Sequence, residues 1–268
     1  MKYIASYSGG KDSTAMILKI IEKNLPLDNI VFCDTGLEFG EQRNMIKIGL
    51  RKFKELKPSL TIDWIKPEKS FKEYFYTVNT TGKRKGQIWG WPFMLGAWCN
   101  SRLKMKPLNK YFREIGEHTR YVGIAYDEPE RYKRFKSNCV APLYDLKMTE
   151  RDCLNYIKEN GFRNPMYWKF ERLGCYLCPK QNLNSLRSLR KHYPLLWQEM
   201  LEMDKDSPIP FKADGTTLRD LDRRFKTEDE YTDIEIRNIS LIEPRLFYDL
   251  SSSMVEFIGD YMPKILAN

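Results

Sequence analysis

Histidine is almost missing from this chain, which has only His118 and His192 among 268 residues. Both read as lying in charged, helix-like surroundings, so a mixed cysteine–histidine zinc site has little support. No apolar run approaches the roughly 20 residues that a membrane-spanning helix needs, and there is no internal repeat or low-complexity run. Met1-Lys2 leads straight into a strand pattern, which reads as the absence of a signal peptide. The expected setting is cytoplasmic, with no membrane partner. Closely spaced cysteines are also few. Of Cys33, Cys99, Cys139, Cys153, Cys175 and Cys178, only the last two are near neighbours. In a cytosolic chain such residues are metal ligands or buried thiols more often than disulfides.

What the chain does have is positive charge, with 45 Lys and Arg against 36 Asp and Glu. That excess fits a polyanionic partner such as DNA or RNA, and equally a basic surface that attracts ATP. A hydrophobic content of 42% is that of a folded protein. The length suits one large domain, expected at 1–180, with a C-terminal helical subdomain at 181–268.

The most informative stretch is Tyr7-Ser8-Gly9-Gly10-Lys11-Asp12-Ser13-Thr14. It lies between the apolar run Tyr3-Ile4-Ala5 and the helical run Ala15-Met16-Ile17-Leu18, so it reads as strand, tight bend, helix. Two glycines let the backbone bend and approach a ligand closely. The helix then turns its unpaired N–H groups and positive dipole end toward the bend, which favours a phosphate. Lys11 adds a full charge, Ser8, Ser13 and Thr14 add hydroxyls, and Asp12 can hold a magnesium ion or fix the loop. The alternative is a serine-capped glycine turn. The common kinase and GTPase loop is excluded, because Gly10-Lys11 is followed by Asp12 rather than Ser or Thr. Ser8 to Ser13 instead resembles the pyrophosphate loop of the PP-loop ATP pyrophosphatase superfamily, whose members cleave ATP between its α and β phosphates.

Further on, Asn29 to Cys33 is a short apolar run, as expected of a buried parallel strand, and it ends in Asp34-Thr35-Gly36-Leu37-Glu38. Ligands of an open parallel sheet bind beyond the carboxyl ends of its strands, so Asp34 and Glu38 should face the same crevice as Lys11. Glu41 to Leu56 reads as a helix with Met45, Ile48 and Phe53 inward, Leu60 to Ile65 as a third strand and Arg120 to Ala125 as another that delivers Asp127, Glu128 and Arg131. Thr149 with Asp152 three residues on starts a helix that Gly161 ends. The predicted architecture is a doubly wound α/β parallel sheet.

Residues 66–98 break this pattern. A basic tip, Thr80 to Gly86, precedes Trp89-Gly90-Trp91-Pro92-Phe93. Phosphate attraction beside stacking surfaces suits a single-stranded nucleic acid or a base, while the plainer reading is a loop folded over its own aromatic cluster. Cys33 and Cys153 read as core packing. Cys175-Tyr176-Leu177-Cys178 is a C-x-x-C, which by spacing alone is a redox pair, half a zinc site or half an iron–sulfur site. An all-cysteine set of Cys99, Cys175, Cys178 and Cys139 is the remaining constellation, suited to a cubane iron–sulfur cluster or to zinc. From Asn184 onward the pattern is helical, including Leu218 to Phe225.

Taken together, these residues resemble the phosphoadenosine phosphosulfate (PAPS) reductase family over roughly residues 3 to 180. The resemblance rests on Ser8 to Ser13, Asp34-Thr35-Gly36 with Glu38, and Cys99 followed by Lys104-Met105-Lys106-Pro107-Leu108. It continues in Gly123 with Glu128 and Arg131, in Pro142-Leu143 and in Asn164 to Cys178. It implies an adenine-nucleotide site for ATP and magnesium formed by Ser8, Gly9, Gly10, Lys11, Asp12 and Ser13, with Asp34 and Gly36 beside it. Lys11, Asp12 and Arg131 would be the catalytic residues, Arg131 meeting an anionic substrate. In cluster-bearing relatives a tandem cysteine pair and a later C-x-x-C hold a [4Fe-4S] cluster. Here the tandem pair is Trp98-Cys99, so Cys139 supplies the fourth ligand or one iron is left open.

Two departures bear on the reaction. The loop keeps the full pyrophosphatase pattern, unlike sulfonucleotide reductases, and no cysteine follows Cys178 to act as their C-terminal nucleophile. The expected function is therefore ATP-dependent adenylation with pyrophosphate release, serving sulfur transfer from a sulfur donor, with nucleic acid among the acceptors. The alternatives are a sulfonucleotide reductase that makes sulfite with a thiol reductant, and a nucleotide- or DNA-binding regulator without turnover.

Overall fold

The computed structural model describes residues 1–92, 97–134 and 138–242, with side chains through residue 230. Phe93, read above with the insertion's aromatic run, lies outside the described residues.

Strand β1 (Lys2–Tyr7) leads through three residues into helix α1 (Lys11–Glu22). Strand β2 (Asn29–Cys33), helix α2 (Gly40–Leu56) and strand β3 (Thr61–Ile65) follow. After the short helix α3 (Phe71–Phe75) and the insertion come a π-helical turn (Asn100–Met105) and α4 (Lys106–Ile115). Strand β4 (His118–Tyr121), α5 (Pro129–Tyr132), strand β5 (Cys139–Val140), α6 (Pro142–Asp145) and α7 (Glu150–Glu159) then complete the sheet and its covering helices. All pairings are parallel, in the order β3-β2-β1-β4-β5.

Side chains alternate across the sheet. Ala5, Tyr7, Ile30 and Phe32 turn to one face and pack with α1, α2 and α7, while Ile4 and Val31 turn to the other and pack with Leu108 and Phe112 of α4. Both faces are covered, which is why the central strands are apolar throughout and the sheet is doubly wound. The strand order reverses at β1, so the crevice between the carboxyl ends of β1 and β4 is the switch point at which open α/β sheets bind ligands.

Several expectations shift in detail. Helix α2 buries Ile46, Gly49, Leu50 and Phe53, while Met45 and Ile48 are only half-buried. The helix rolls so that Gly49 faces Tyr7, whose hydroxyl would lie 2.5 Å from any Cβ placed there. Strand β4 ends at Tyr121 rather than Ala125, because Ile124 N turns back to Val122 O at 3.0 Å. His118 opens that strand and stacks on Phe112 instead of lying on a helix. The capping box at Thr149 and Asp152 is present, and Gly161 has the positive φ of a helix stop. Cys153 is fully buried.

The insertion folds on its own aromatics. Phe71, Tyr74, Trp89 and Trp98 form one ring cluster, and Trp91 is 1% exposed with its indole N–H donated to Asp204 at 2.9 Å. Val78 and Ile88 form an antiparallel bridge that carries the tip 80–86 outward. A 3-10 turn (Pro165–Trp168) and helices α8 (Leu183–His192) and α9 (Pro194–Asp206) follow the sheet. The chain divides into two compact units, Met1–Gly215 and Thr216–Asn268. The second contains α10 (Leu218–Ile242), far longer than the periodicity over Leu218 to Phe225 indicated. No helix among the described residues is long and apolar enough to cross a membrane.

Candidate active site

The loop from Ser8 to Gly10 sits at the switch point and is shaped mainly from within. Gly9 has φ +73° and lies against α2, where a Cβ would fall 2.3 Å from Ile46 Cγ1. No other residue fits that position. The hydroxyls of Ser13 and Thr14 donate to Gly10 O at 3.1 and 2.9 Å, and Ser13 Oγ accepts from Ser8 N at 3.2 Å. These hydroxyls set the bend rather than point out of it. The backbone amides of Gly9, Asp12 and Ser13 have no partner among the described residues. Three unpaired donors therefore gather at the positive end of a 12-residue helix, an arrangement suited to an anion.

Charged groups surround that opening. Lys11 Nζ donates to Glu150 Oε2 at 2.5 Å and lies 3.6 Å from Asp12 Oδ2. Burial pushes the Asp12 carboxyl above its ordinary range; Lys11 and Arg131 oppose this, while Glu150 and Glu128 add to it. Asp12 Oδ1 is buried without a partner. Arg131 donates to both oxygens of Glu128 at 2.6 Å and is half exposed. Gly123, just past β4, presses on the first turn of α1. A side chain there would stand 3.0 Å from Ser13 N and 3.1 Å from Asp12 C.

Asp34 is placed differently from the open ligand expected. Its buried carboxylate accepts from Gly36 N at 3.0 Å, from Arg43 at 2.8 Å and from Trp64 Nε1 at 3.1 Å. It fixes the loop after β2 and leaves Gly36, with φ +77° and open space around it, to face outward.

A second opening lies beside that loop. A cavity of about 250 Å³ is lined by Cys99, Cys175 and Cys178 together with Thr35, Leu37 and Lys104. Cys99 precedes the π-helical turn, a distortion frequent at functional sites. The C-x-x-C loop is stapled by Gln181 Nε2 donating to Cys175 O at 3.1 Å and by Lys212 Nζ donating to Pro179 O at 2.7 Å. Burial pushes the Cys175 thiol up to about 11, with Lys104 opposing. Cys33 is not sealed in the core as expected. Its Sγ donates to Leu103 O at 3.3 Å, and burial raises its thiol to about 11 beside Lys104. Cys139 does not join these residues: it lies on β5 at the sheet's far edge, its Sγ donating to Asn138 Oδ1 at 3.7 Å.

The family model of the phosphoadenosine phosphosulfate reductase domain matches residues 2–181. The chain belongs to that family. Among its relatives are two uncharacterized Methanocaldococcus jannaschii proteins, 28% identical over 75% of this chain and 47% of theirs, and 26% identical over 73% and 40%. The chain thus spans less than half the length of these two relatives. An uncharacterized nin region protein of Escherichia phage lambda is 26% identical over 68% of this chain and 67% of its own. A crystal structure of PAPS reductase from Candida auris in a phosphate complex aligns with a TM-score of 0.43 at 16% identity, covering 66% of this chain and 82% of that one.

Within this PAPS reductase family chain, the structure brings Ser8, Gly9, Gly10, Lys11, Asp12 and Ser13 to one bend with Arg131 nearby, and Cys99, Cys175 and Cys178 to one cavity. Glu150 and Tyr167 were not singled out from the sequence. The capping box beginning at Thr149 could have flagged Glu150 as the first residue of α7. Asn164, buried and accepting from Met166 N at 3.0 Å, opens the turn that delivers Tyr167. No sequence pattern links that turn to a loop 156 residues away.

Proposed function

We propose that this PAPS reductase family chain uses ATP to adenylate an oxygen of its substrate and then replaces that oxygen with sulfur. The substrate oxygen attacks the α-phosphorus, the bond from that phosphorus to the oxygen bridging to the β-phosphorus breaks, and pyrophosphate leaves. Hydrosulfide then attacks the activated carbon, and AMP departs with the original oxygen. The supporting observation is the set of unpartnered amides of Gly9, Asp12 and Ser13 at the start of α1, beside Lys11. Donors fixed before reaction stabilise charge that builds on the leaving pyrophosphate without reorganising. Asp12 Oδ1 is buried without a partner and would hold magnesium in this reading, directly or through water. Arg131 would meet the anionic substrate by exchanging its contact with Glu128. The nucleotide-binding domain in this reading is 1–180, with 181–268 appended.

The cysteine cavity bears on the sulfur step. Among the described residues no group of three or more His, Cys, Asp or Glu is spaced to hold a metal ion. Cys99, Cys175 and Cys178 line one cavity, and a thiolate-only donor set suits iron–sulfur chemistry. We assign Cys99, Cys175 and Cys178 to a [4Fe-4S] cluster, which when bound would supply a soft site for hydrosulfide. Lys104 lines the same cavity, and its proton is held more tightly by the thiolate form of Cys175, with Glu38, Cys33 and Cys178 adding to this and burial opposing. Lys83 and Lys85 stand exposed at the tip of the insertion and suit the phosphates of a nucleic-acid acceptor.

The test is product analysis with anaerobically purified protein, magnesium, ATP, sulfide and candidate acceptors. AMP and pyrophosphate in equal amounts, lost in Lys11→Ala, are expected. The family match also favours a second reading, the reduction of adenylyl sulfate or its 3′-phosphorylated form. Sulfite released with thioredoxin or glutathione, and no AMP formed from ATP, would replace the first reading with the second.

A further inference from the structure

Resting on the proposed ATP reading, we propose that Tyr167 is a direct ligand of the pyrophosphate group, giving it the proton of a hydroxyl that the loop itself holds in place. The loop supplies the reason. Lys11 N is the first amide of α1 and in most anion-binding helix starts would face the anion unassisted. Here it donates to the Tyr167 hydroxyl at 2.7 Å. A hydroxyl that accepts through a lone pair still has its own proton to give, and Tyr167 has no acceptor for that proton among the described residues.

The hydroxyl stands over the bend, 3.9 Å from where a Gly10 Cβ would be. Its backbone is anchored by buried neighbours, Asn164 at 3% and Met166 at 2% exposure. Burial also pushes the Tyr167 hydroxyl above its ordinary range, with nearby Asp12, Tyr7 and Glu150 adding to the effect. The group therefore stays protonated at neutral pH, as a donor must.

The arrangement extends the helix amide outward by one hydrogen bond. An anion at this loop meets Lys11 N through the tyrosine, and meets the unpartnered amides of Gly9, Asp12 and Ser13 directly. Polarised by the amide it accepts from, the hydroxyl becomes a better donor. The plainer role, a cap that satisfies Lys11 N and does nothing else, makes the opposite prediction for binding. Removing a mere cap would free one more amide for the anion.

The two roles separate in calorimetric titration of inorganic pyrophosphate into wild type, Tyr167→Phe and Tyr156→Phe. The last loses a surface hydroxyl bonded to Glu22 and serves as control. Loss of a hydrogen bond to a charged group weakens binding roughly tenfold or more, and that is expected for Tyr167→Phe only. Unchanged or tighter pyrophosphate binding in Tyr167→Phe would overturn the inference while leaving the ATP reading intact. Wild-type protein that binds neither pyrophosphate nor ATP would overturn both. If Tyr167→Phe fails to fold, site-specific 3-fluorotyrosine at 167 keeps the ring and makes a stronger donor. Tighter binding is then expected, and unchanged or weaker binding overturns the proposal.

Discussion

Replacing Gly123 by alanine would put a methyl carbon 3.0 Å from Ser13 N, 3.1 Å from Asp12 C and 3.2 Å from Asp12 O. Ordinary contact needs several tenths of an ångström more at each atom. All three are backbone atoms in the first turn of α1, so no side chain can swing aside and the turn itself must move. Gly123 does not have a positive φ, so the effect is steric and not conformational. Overpacking of this kind costs about 1–3 kcal/mol. For a unit the size of Met1–Gly215 each kcal/mol lowers Tm by roughly 2–4 °C. Because Ser13 N is among the displaced atoms and Asp12 N lies in the same turn, pyrophosphate affinity should fall together with Tm. Differential scanning calorimetry and pyrophosphate titration measure the two effects. Gly40→Ala is the control, since a Cβ at Gly40 meets nothing within 4 Å and alanine suits a helix start. A Gly123→Ala protein with wild-type Tm and wild-type affinity would refute the claim that the close approach of Gly123 holds the first turn of α1 in place.

Asp12→Asn should stabilise the ligand-free protein. The folded state raises the Asp12 carboxyl above its unfolded value, so the unfolded chain releases that proton first and wild-type stability falls as pH rises through the interval between the two values. The gain from Asn should therefore be present at neutral pH and vanish below the unfolded carboxylate value, as urea melts at several pH values would show. Cys99→Ser, Cys175→Ser and Cys178→Ser should each lower iron and acid-labile sulfide in anaerobically reconstituted protein, whereas Cys139→Ser should not; equal iron in all four would remove the assignment. Replacing both Lys83 and Lys85 by alanine should flatten the dependence of log K on log salt for single-stranded DNA or RNA by about 1.4, at roughly 0.7 per phosphate contact. An unchanged slope would move the nucleic-acid surface elsewhere.

The sheet and the strand–bend–helix at residues 7–14 were legible because local signals carry them. The apolar runs at Tyr3-Ile4-Ala5 and Asn29 to Cys33 are short and bounded by turn signals, as strands buried on both faces are, and Gly9-Gly10-Lys11 between strand and helix has few other uses. The Thr149 capping box works within four residues, so it could be read directly. What was hidden depends on contacts between distant segments. Asp34 reads as a ligand in sequence, yet Trp64 and Arg43 occupy its oxygens. Nothing near Cys33 reveals that Lys104 lies against it. The outlying position of Cys139 follows from strand order, which spacing does not encode, and the roll of α2 depends on Gly49 making room for Tyr7.

The central claim, that residues 8–13 grip the β and γ phosphates of ATP, is tested most directly by equilibrium binding of ATP, AMP and inorganic pyrophosphate, each with magnesium, to wild type and Lys11→Ala. The account predicts that wild type binds ATP and pyrophosphate well and AMP weakly. Lys11→Ala should lose ATP and pyrophosphate affinity while its AMP binding changes little. AMP binding as tight as ATP binding, with Lys11→Ala indistinguishable from wild type, would contradict it.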